Sequence, residues 1–308
     1  MQKKKTKPNE IDLVIFDVNQ TMFSLNALKI KFKEFGLKQN LVNSWFLSVL
    51  KEGFSNSLSQ QFVNFKTIGK NELIKIFLQN NSPYNNKIID SIFAEFANLK
   101  VHPDIKTSLK CLKKNKIKIV TLTNGSVSNT KLLLKKNNIN NFIDGCFSIN
   151  SFKIWKPARE VYLKTCEKMK IKPERTLMIA AHGWDINGAK LAGLKTAYIT
   201  RYEKKLSDFY YKPDFVGNDS REIINKLNGL DESFDGIIIN PGGLTHSSVS
   251  LHDSLEIKKI HKIEVHISNI YAREEFRQKS IIAHACHGSV LGMGVNGYLY
   301  ALRQIVNS

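Results

Sequence analysis

Arginine is scarce in this chain. Seven arginines stand against 39 lysines among 308 residues, so the net charge of +19 rests on lysines scattered among Asn and Ile along the whole length. A nucleic-acid surface would show clustered arginine, basic stripes or interleaved stacking aromatics, and no helix-turn-helix, zinc-finger or RNA-binding signature is present. The excess charge reads as biased composition that favours a small anionic substrate through a long-range field, with no nucleic-acid partner expected. The four cysteines, Cys111, Cys146, Cys166 and Cys286, lie far apart without a CxxC pair. That excludes a disulfide framework and leaves reduced, structural thiols. No apolar run approaches the roughly 20 residues that cross a bilayer. The basic start, MQKKKTKPNEIDLVIF, leads through a short apolar run into a strand, unlike a signal peptide. A cytoplasmic protein with no membrane partner is expected. Internal repeats and low-complexity blocks are also missing.

What is present suits a globular protein. Hydrophobic residues make up 42% and charged residues 24%, enough apolar side chain for real cores, and the length excludes a single small module. After a basic tail at 1–10, the apolar run IDLVIF at 11–16 ends at Asp17 as a buried parallel strand would. From about Leu25 the spacing of Trp45, Phe46, Val49 and Leu50 is helical, and no strong strand candidate appears before Asn98. The segment 25–97 therefore reads as an inserted helical cap, with a core at 11–24 and 98–228. Strands are expected at 117–122, 176–181 and 195–199, alternating with helices near 127–136, 158–169 and 186–192, which argues for a parallel α/β sheet. The apolar pattern lapses at a linker, 229–234. A second α/β segment, 235–308, is expected to hold strands at 235–240 and 262–267 and helices near 248–259, from about 271 and at 295–306. A strand or loop is expected through 281–293.

The chemistry-bearing residues fall at strand ends. Asp17 sits in FDVNQT with Asn19 and Thr21 close behind; a carboxylate freed at the end of a buried strand can act as a nucleophile. Thr123-Asn124-Gly125-Ser126 ends a strand and opens a helix, where hydroxyl, amide and backbone donors can hold an anion. Lys156 in IWKPAREVY can neutralise developing charge, and Asp185 follows a further strand. Trp184 reads as core, whereas His182 is open to orienting Asp185 or lining the pocket.

In this order the four pieces resemble the haloacid dehalogenase superfamily, over about residues 11–228. The segments FDVN-x-T, TLTNGS, KP-x-x-x-VY and MIAAH-x-WD-x-x-GA-x-x-AGLKTA-x-x-x-R are most similar to type II haloacid dehalogenases. The resemblance implies a Rossmann-like parallel sheet with the inserted cap, and a hydrolase in which Asp17 forms a covalent ester. Lys156 and Asp185 would manage charge and the attacking water, with Asn19, Thr21, Thr123 and Asn124 binding substrate. Asn19 stands where the phosphatases of the superfamily carry a general-acid Asp. Asn cannot protonate a leaving oxygen, but a halide needs no proton. Its neutrality also disfavours magnesium, so no cofactor and no metal are expected. The family's cap arginine, which clamps a substrate carboxylate, has no counterpart ahead of Arg159. Lys51 or another cap lysine is the expected substitute, as a point charge.

The C-terminal segment holds Asn240-Pro241-Gly242-Gly243, Thr245-His246, His266-Ile267-Ser268-Asn269 and Arg273. Six of the eight histidines follow residue 240, but their spacing fits no standard zinc pattern. INPGGLTHSSVSL, the stretch EVHISNIYAREEFR and GMGVNGYLYAL resemble the C-terminal half of type II 3-dehydroquinate dehydratase. The resemblance implies a truncated flavodoxin-like α/β segment. His266 would be the general acid, Asn240, Ile267, Ser268 and Arg273 would hold substrate hydroxyls and carboxylate, and His246 would support them. Leu244 replaces a usual aromatic and His252 a usual Arg. The family's first strand and its lid, bearing an essential Arg and the proton-abstracting Tyr, have no expected counterpart, so residues 237–240 should form an open apolar edge. Three readings follow: a hydrolase of a small anionic substrate with a dehydroquinase-derived tail; a dehydratase acting as an oligomer; or a non-catalytic tail that binds ligand or builds a homo-oligomer.

Overall fold

The computed structural model describes residues 11–227, 236–258 and 260–306. The basic tail, the linker and Asp235 lie outside the described residues. Two compact units are present, Met1–Leu227 and Asn228–Ser308.

The first unit begins with β1 (Leu13–Phe16), a short β2 (Phe23–Ser24) and four cap helices, α1 (Asn26–Glu34), α2 (Leu41–Leu58), α3 (Phe65–Gln79) and α4 (Asn86–Ala94). There follow β3 (Lys100–Val101), α5 (Pro103–Lys114), β4 (Lys118–Thr123), α6 (Val127–Lys136), β5 (Gly145–Ser148), α7 (Ile149–Phe152) and α8 (Arg159–Met169). The unit ends with β6 (Thr176–Ala180), α9 (Gly183–Leu191), β7 (Lys195–Ile199), β8 (Phe215–Gly217) and α10 (Ser220–Leu227). The six long-range strands form one parallel sheet in the order β5-β4-β1-β6-β7-β8. All four β1 residues are fully buried. Continuous apolar strands of this kind occur where helices cover both faces of a sheet. In register, Phe16 lies opposite both Thr121 and Ile179, so Asp17, Thr123-Asn124 and Ala181-His182 emerge along one carboxyl edge. That edge is where open α/β sheets place their ligands.

The cap leaves and rejoins the sheet through the antiparallel pair β2–β3, which apolar spacing alone did not reveal. Trp45 fills the cap core among Phe32, Phe65, Phe93 and Phe96, and its indole donates to Gly69 O at 2.9 Å. α5, β5, β8 and α10 were likewise not anticipated. β5 and β8 are short and only partly buried, so their period-2 signal is weak.

The second unit is a three-stranded parallel sheet in the order β11-β10-β9: β9 (Gly236–Ile239), β10 (His261–His266) and β11 (Gly288–Leu291). α11 (Val249–Glu256) follows β9, and α12 (Asn296–Val306) closes the chain. α12 buries Gly297, Ala301 and Ile305, one stripe at helical spacing, and Ala301 and Ile305 join a cluster with Ile263 and Val265. β9 ends the sheet, and among the described residues nothing pairs with its outer side. The helix expected from about 271 is a correction: two short 3-10 turns, Ile270–Ala272 and Glu275–Arg277, stand there instead. Asn269 accepts from Tyr271 N and starts the first turn; Arg273 then runs extended, which breaks any helical continuation.

Close packing fixes the loop that carries Lys156. A Cβ on Gly188 in α9 would lie 2.4 Å from the Pro157 carbonyl oxygen, and one on Gly53 in α2 would lie 2.5 Å from the Trp155 ring. Cap and α9 therefore hold the Trp155-Lys156-Pro157 turn from two sides. For Gly188→Ala, helix propensity favours alanine by about 1 kcal/mol. A clash against backbone costs about 1–3 kcal/mol, at the upper end where the struck atom cannot move. The clash should win, with a net loss of about 2 kcal/mol read from the urea denaturation midpoint; an unchanged or higher midpoint would show that this packing does not constrain the loop.

Candidate active site

Lys156 is fully buried, and its Nζ lies 2.8 Å from Asp17 Oδ1, 2.6 Å from Asp185 Oδ2 and 3.1 Å from Leu122 O. The backbone N of Lys156 donates to Asn124 Oδ1 at 3.1 Å. Thr21 Oγ1 donates to Asp17 Oδ2 at 2.7 Å and accepts from Ala181 N at 3.0 Å. Thr123 Oγ1 accepts from Gly125 N at 2.9 Å, which shapes the turn into α6. Asn19 is buried beside this turn. Thus Asp17, Thr21, Asn124, Lys156 and Asp185 form one connected cluster, with Asn19 and Thr123 at its rim.

One ammonium serves two carboxylates. Burial raises the pKa of Asp17, but the Lys156 charge and hydrogen bonds overturn this and hold it below the usual carboxylate range. Asp185 goes the other way, pushed up by burial and, against the pull of Lys156, by the charge on Asp17. Burial disfavours the Lys156 cation, yet its two carboxylate partners raise it net. Asp17 is therefore the more readily ionised of the two, the property a carboxylate nucleophile requires.

Tyr162 escaped sequence reasoning, and the structure settles where His182 and Trp184 stand. Tyr162 OH donates to Asp185 Oδ1 at 2.5 Å, so both Asp185 oxygens are occupied; its signal was its place six residues after Lys156 in KPAREVY. His182 Nε2 donates to Gln20 Oε1 at 2.8 Å. The other ring nitrogen, Nδ1, is buried without a hydrogen-bond partner and stands 3.5 Å from Asp17 Oδ2. Trp184 is not simply core. It is only partly buried, stacks on His182 at 5.4 Å between centroids and carries Lys156 Nζ 5.5 Å from its ring centre.

A cleft of about 840 Å³ opens beside the cluster, with Asn19, Thr123 and Gly125 on the core side and Asn64, Lys66 and Lys70 on the cap side. Lys51 is exposed and does not line it; the cap lysines that do are Lys66 and Lys70, the latter paired with Asp90. The donor set does not fit magnesium. Asp17 and Asp185 already share the Lys156 charge, Asn19 replaces a further carboxylate, and the described residues hold no cluster of three or more His, Cys, Asp or Glu suited to a metal.

In the second unit the carboxyl ends of β9 and β10 carry the expected residues. His266 Nε2 donates to Glu264 Oε1 at 2.9 Å, and the buried Glu264 also accepts from Ser280 and Ser289. Glu264 was missed, although two-residue spacing on a strand puts it on the His266 face. Arg273 Nη2 donates to Ser268 Oγ at 2.5 Å; Ile267 is exposed; Asn240 Nδ2 donates to Tyr298 OH at 3.1 Å. His246 donates from Nδ1 to Lys279 O at 2.8 Å and lines a separate cavity of about 520 Å³ that His266 does not line.

The family model for haloacid dehalogenase-like hydrolase matches residues 11–193, and that for class II dehydroquinase matches 195–306. A 3-dehydroquinate dehydratase of Thermotoga petrophila is 49% identical over 107 residues, 33% of this chain and 73% of that protein. The enzyme of the same name from Caldicellulosiruptor saccharolyticus is 53% identical over 96 residues, 30% of this chain and 66% of that protein. Among solved structures, the L-2-haloacid dehalogenase of Xanthobacter autotrophicus with chloropropionic acid covalently bound superposes with a TM-score of 0.67 at 17% identity, over 72% of this chain and 100% of that one. At that identity the likeness speaks for the fold. The dehydroquinase match starts 40 residues ahead of Asp235 and takes in β7, β8 and α10, which the fold pairs with the first unit.

Replacing Lys156 by Met leaves two buried carboxylates without a cation, which should cost about 3–5 kcal/mol at pH 7. In the native protein the depressed Asp17 pKa adds stability above the ordinary carboxylate pKa of about 4, lost as pH falls through the folded value. Without Lys156, burial raises both carboxylates, so the folded state takes up protons first. The variant should then gain stability between pH 7 and 5, measured by denaturant titration at each pH. A parallel decline in both proteins would refute the shared-cation account.

Proposed function

Because the chain belongs to the haloacid dehalogenase-like hydrolases and, through its C-terminal region, to the class II dehydroquinases, we propose that its first unit hydrolyses a small anionic substrate through an ester on Asp17. The observation that carries this reading is the buried Asp17–Lys156–Asp185 cluster, which holds the Asp17 carboxyl below the usual carboxylate range, in the loop whose Val18 and Asn19 line the cleft. A carboxylate oxygen of Asp17 attacks carbon, and the leaving group departs with the bonding electrons. Asn19 offers no proton, so halide is the leaving group that suits the site. Chloropropionic acid bound covalently in the Xanthobacter autotrophicus enzyme supports this chemistry by analogy.

Ester hydrolysis needs a base. Both oxygens of Asp185 are engaged by Lys156 and Tyr162, which leaves it to orient Lys156. His182 is better placed: with Nε2 donating to Gln20, a neutral ring presents the bare Nδ1 toward Asp17. Water attacks Asp17 Cγ and gives its proton to Nδ1. The tetrahedral intermediate then expels the product alkoxide, which takes that proton, and Asp17, returned as the acid, loses its own to solvent.

Single turnover of 2-chloropropionate in ¹⁸O-water should place label in Asp17, not in the product, by peptide mass spectrometry. Asp17→Asn should abolish turnover, and His182→Asn should accumulate the ester because hydrolysis slows roughly 100-fold or more. Label in the first product, with Asp17 unlabelled, would exclude the ester.

A dehydratase reading of the C-terminal region is favoured by the relatives' identity and by the Glu264–His266 pair, which can stabilise an imidazolium acid. Against it, Arg201 Nη1 and Nη2, in the matched stretch ahead of β9, hydrogen-bond to Thr21 O and Asp104 Oδ1 in the first unit. With 3-dehydroquinate, the full-length protein should form no enone by ultraviolet absorbance. Robust formation lost in His266→Ala would establish the lyase activity instead.

A further inference from the structure

Arg201 closes the AGLKTAYITR stretch, and the class II dehydroquinase match, which begins at residue 195, covers it. Its contacts belong to the other family's site. Arg201 Nη1 donates to the Thr21 carbonyl at 2.7 Å, and Nη2 donates to Asp104 Oδ1 at 2.6 Å. Asp104 Oδ2 in turn accepts from Ser220 N at 2.9 Å and Ser220 Oγ at 2.7 Å, at the start of α10. Thr21 is the fully buried residue whose hydroxyl reaches Asp17 Oδ2. The loop bearing it is tightly turned, with Gln20 at φ 64° and Met22 N bonded back to Val18 O.

From this chain of contacts we propose that Arg201 is a positioning residue for the hydrolase nucleophile. It fixes the Thr21 backbone so that the Thr21 hydroxyl stays on Asp17. The proposal rests on the reading of Asp17 as nucleophile. A buried carbonyl needs a donor, and Arg201 supplies one to Thr21 while its other nitrogen is held by Asp104. A planar guanidinium can bridge two acceptors in fixed directions, which a lysine ammonium cannot reproduce. Asp104 and the first turn of α10 hold the guanidinium from behind. The stretch 195–227 thus works for the hydrolase, whatever its sequence likeness. The dehalogenase superposition agrees, since it covers more of the chain than residues 11–193 comprise.

The test is a double-mutant cycle in the full-length protein with Arg201→Ala, Thr21→Val and both together, plus Arg201→Lys and Asp104→Asn. Two quantities are read: the rate of Asp17 ester formation from 2-bromopropionate in acid-quenched single turnovers, and the Asp17 carboxyl titration by ¹³C NMR. Each single variant should slow ester formation roughly ten- to a hundredfold, the scale of one hydrogen bond to a charged group. Each should also shift the Asp17 titration upward by a similar amount, and the double variant should add nothing to either. Arg201→Lys should restore little, and Asp104→Asn should lie between wild type and Arg201→Ala. Circular dichroism at the assay temperature selects folded variants, and Asp104→Asn carries the test if Arg201→Ala does not fold. An Asp17 titration unchanged in Arg201→Ala, or effects that multiply in the double variant, would overturn the proposal. No ester in the wild type would sink the covalent reading itself, whereas ester formation equal in wild type and Arg201→Ala would sink only this one.

Discussion

The first unit depends on a single buried ammonium. Lys156 Nζ has no exposure to water, and its charge is tolerable only because two carboxylates and a carbonyl surround it. Conversely, neither carboxylate could sit at the end of a buried strand without it. Such a cluster is weak evidence for stability, since desolvation offsets most of the attraction. Its value lies in asymmetry: one cation cannot satisfy two acids equally, so Asp17 is drawn below the usual carboxylate range while Asp185 is pushed above it. The rest of the unit is arranged to keep that geometry. β1, β4 and β6 lie side by side and deliver Asp17, Asn124 and His182 to one edge. Gly188 and Gly53 let α9 and the cap press on the turn that carries Lys156.

How much of this was legible in the sequence follows from which signals are local. Asp17, just past β1, and Asp185, in the first turn of α9 after β6, were readable because a buried parallel strand is a continuous apolar run and its end is visible. Lys156 was readable only through its motif; nothing in residues 150–160 says that its side chain turns inward. Tyr162 and Glu264 were missed for a different reason. Their function comes from a hydrogen bond whose partner is far away or on a strand face, and spacing carries no label for it. Trp184 misled because a large aromatic in an apolar stretch is more often core, whereas here its ring stacks on His182 and lies close to the Lys156 cation. The helix expected from about 271 failed because Asn269 began a turn before an apolar face could form.

Residues 195–227 show how sequence likeness and structural membership can part. A strand followed by an amphipathic helix has the same local grammar in any parallel α/β sheet, so β8 and α10 can match two families. Tertiary contacts decide between them. Pairing of β7 with β6 and the Asp104–Ser220 bonds tie this stretch to the sheet that holds Asp17.

That allocation has a consequence for the C-terminal region. Its described sheet starts at β9, whose outer side is unpaired among the described residues, and its polar site gathers residues from the ends of β9 and β10 with Ser280, Ser289 and Tyr298. The Glu264–His266 pair is well formed: the carboxylate is buried and three side chains, His266 among them, donate to it. An acid of this kind assists departure of a hydroxyl but cannot by itself remove a proton from carbon. Elimination needs both, positioned at once, and general acid catalysis alone contributes on the order of 10²–10⁴. Arg201, inside the class II dehydroquinase match, is engaged by Thr21 O and Asp104 in the first unit. One segment cannot serve both sites in the same fold, and the contacts assign it to the first.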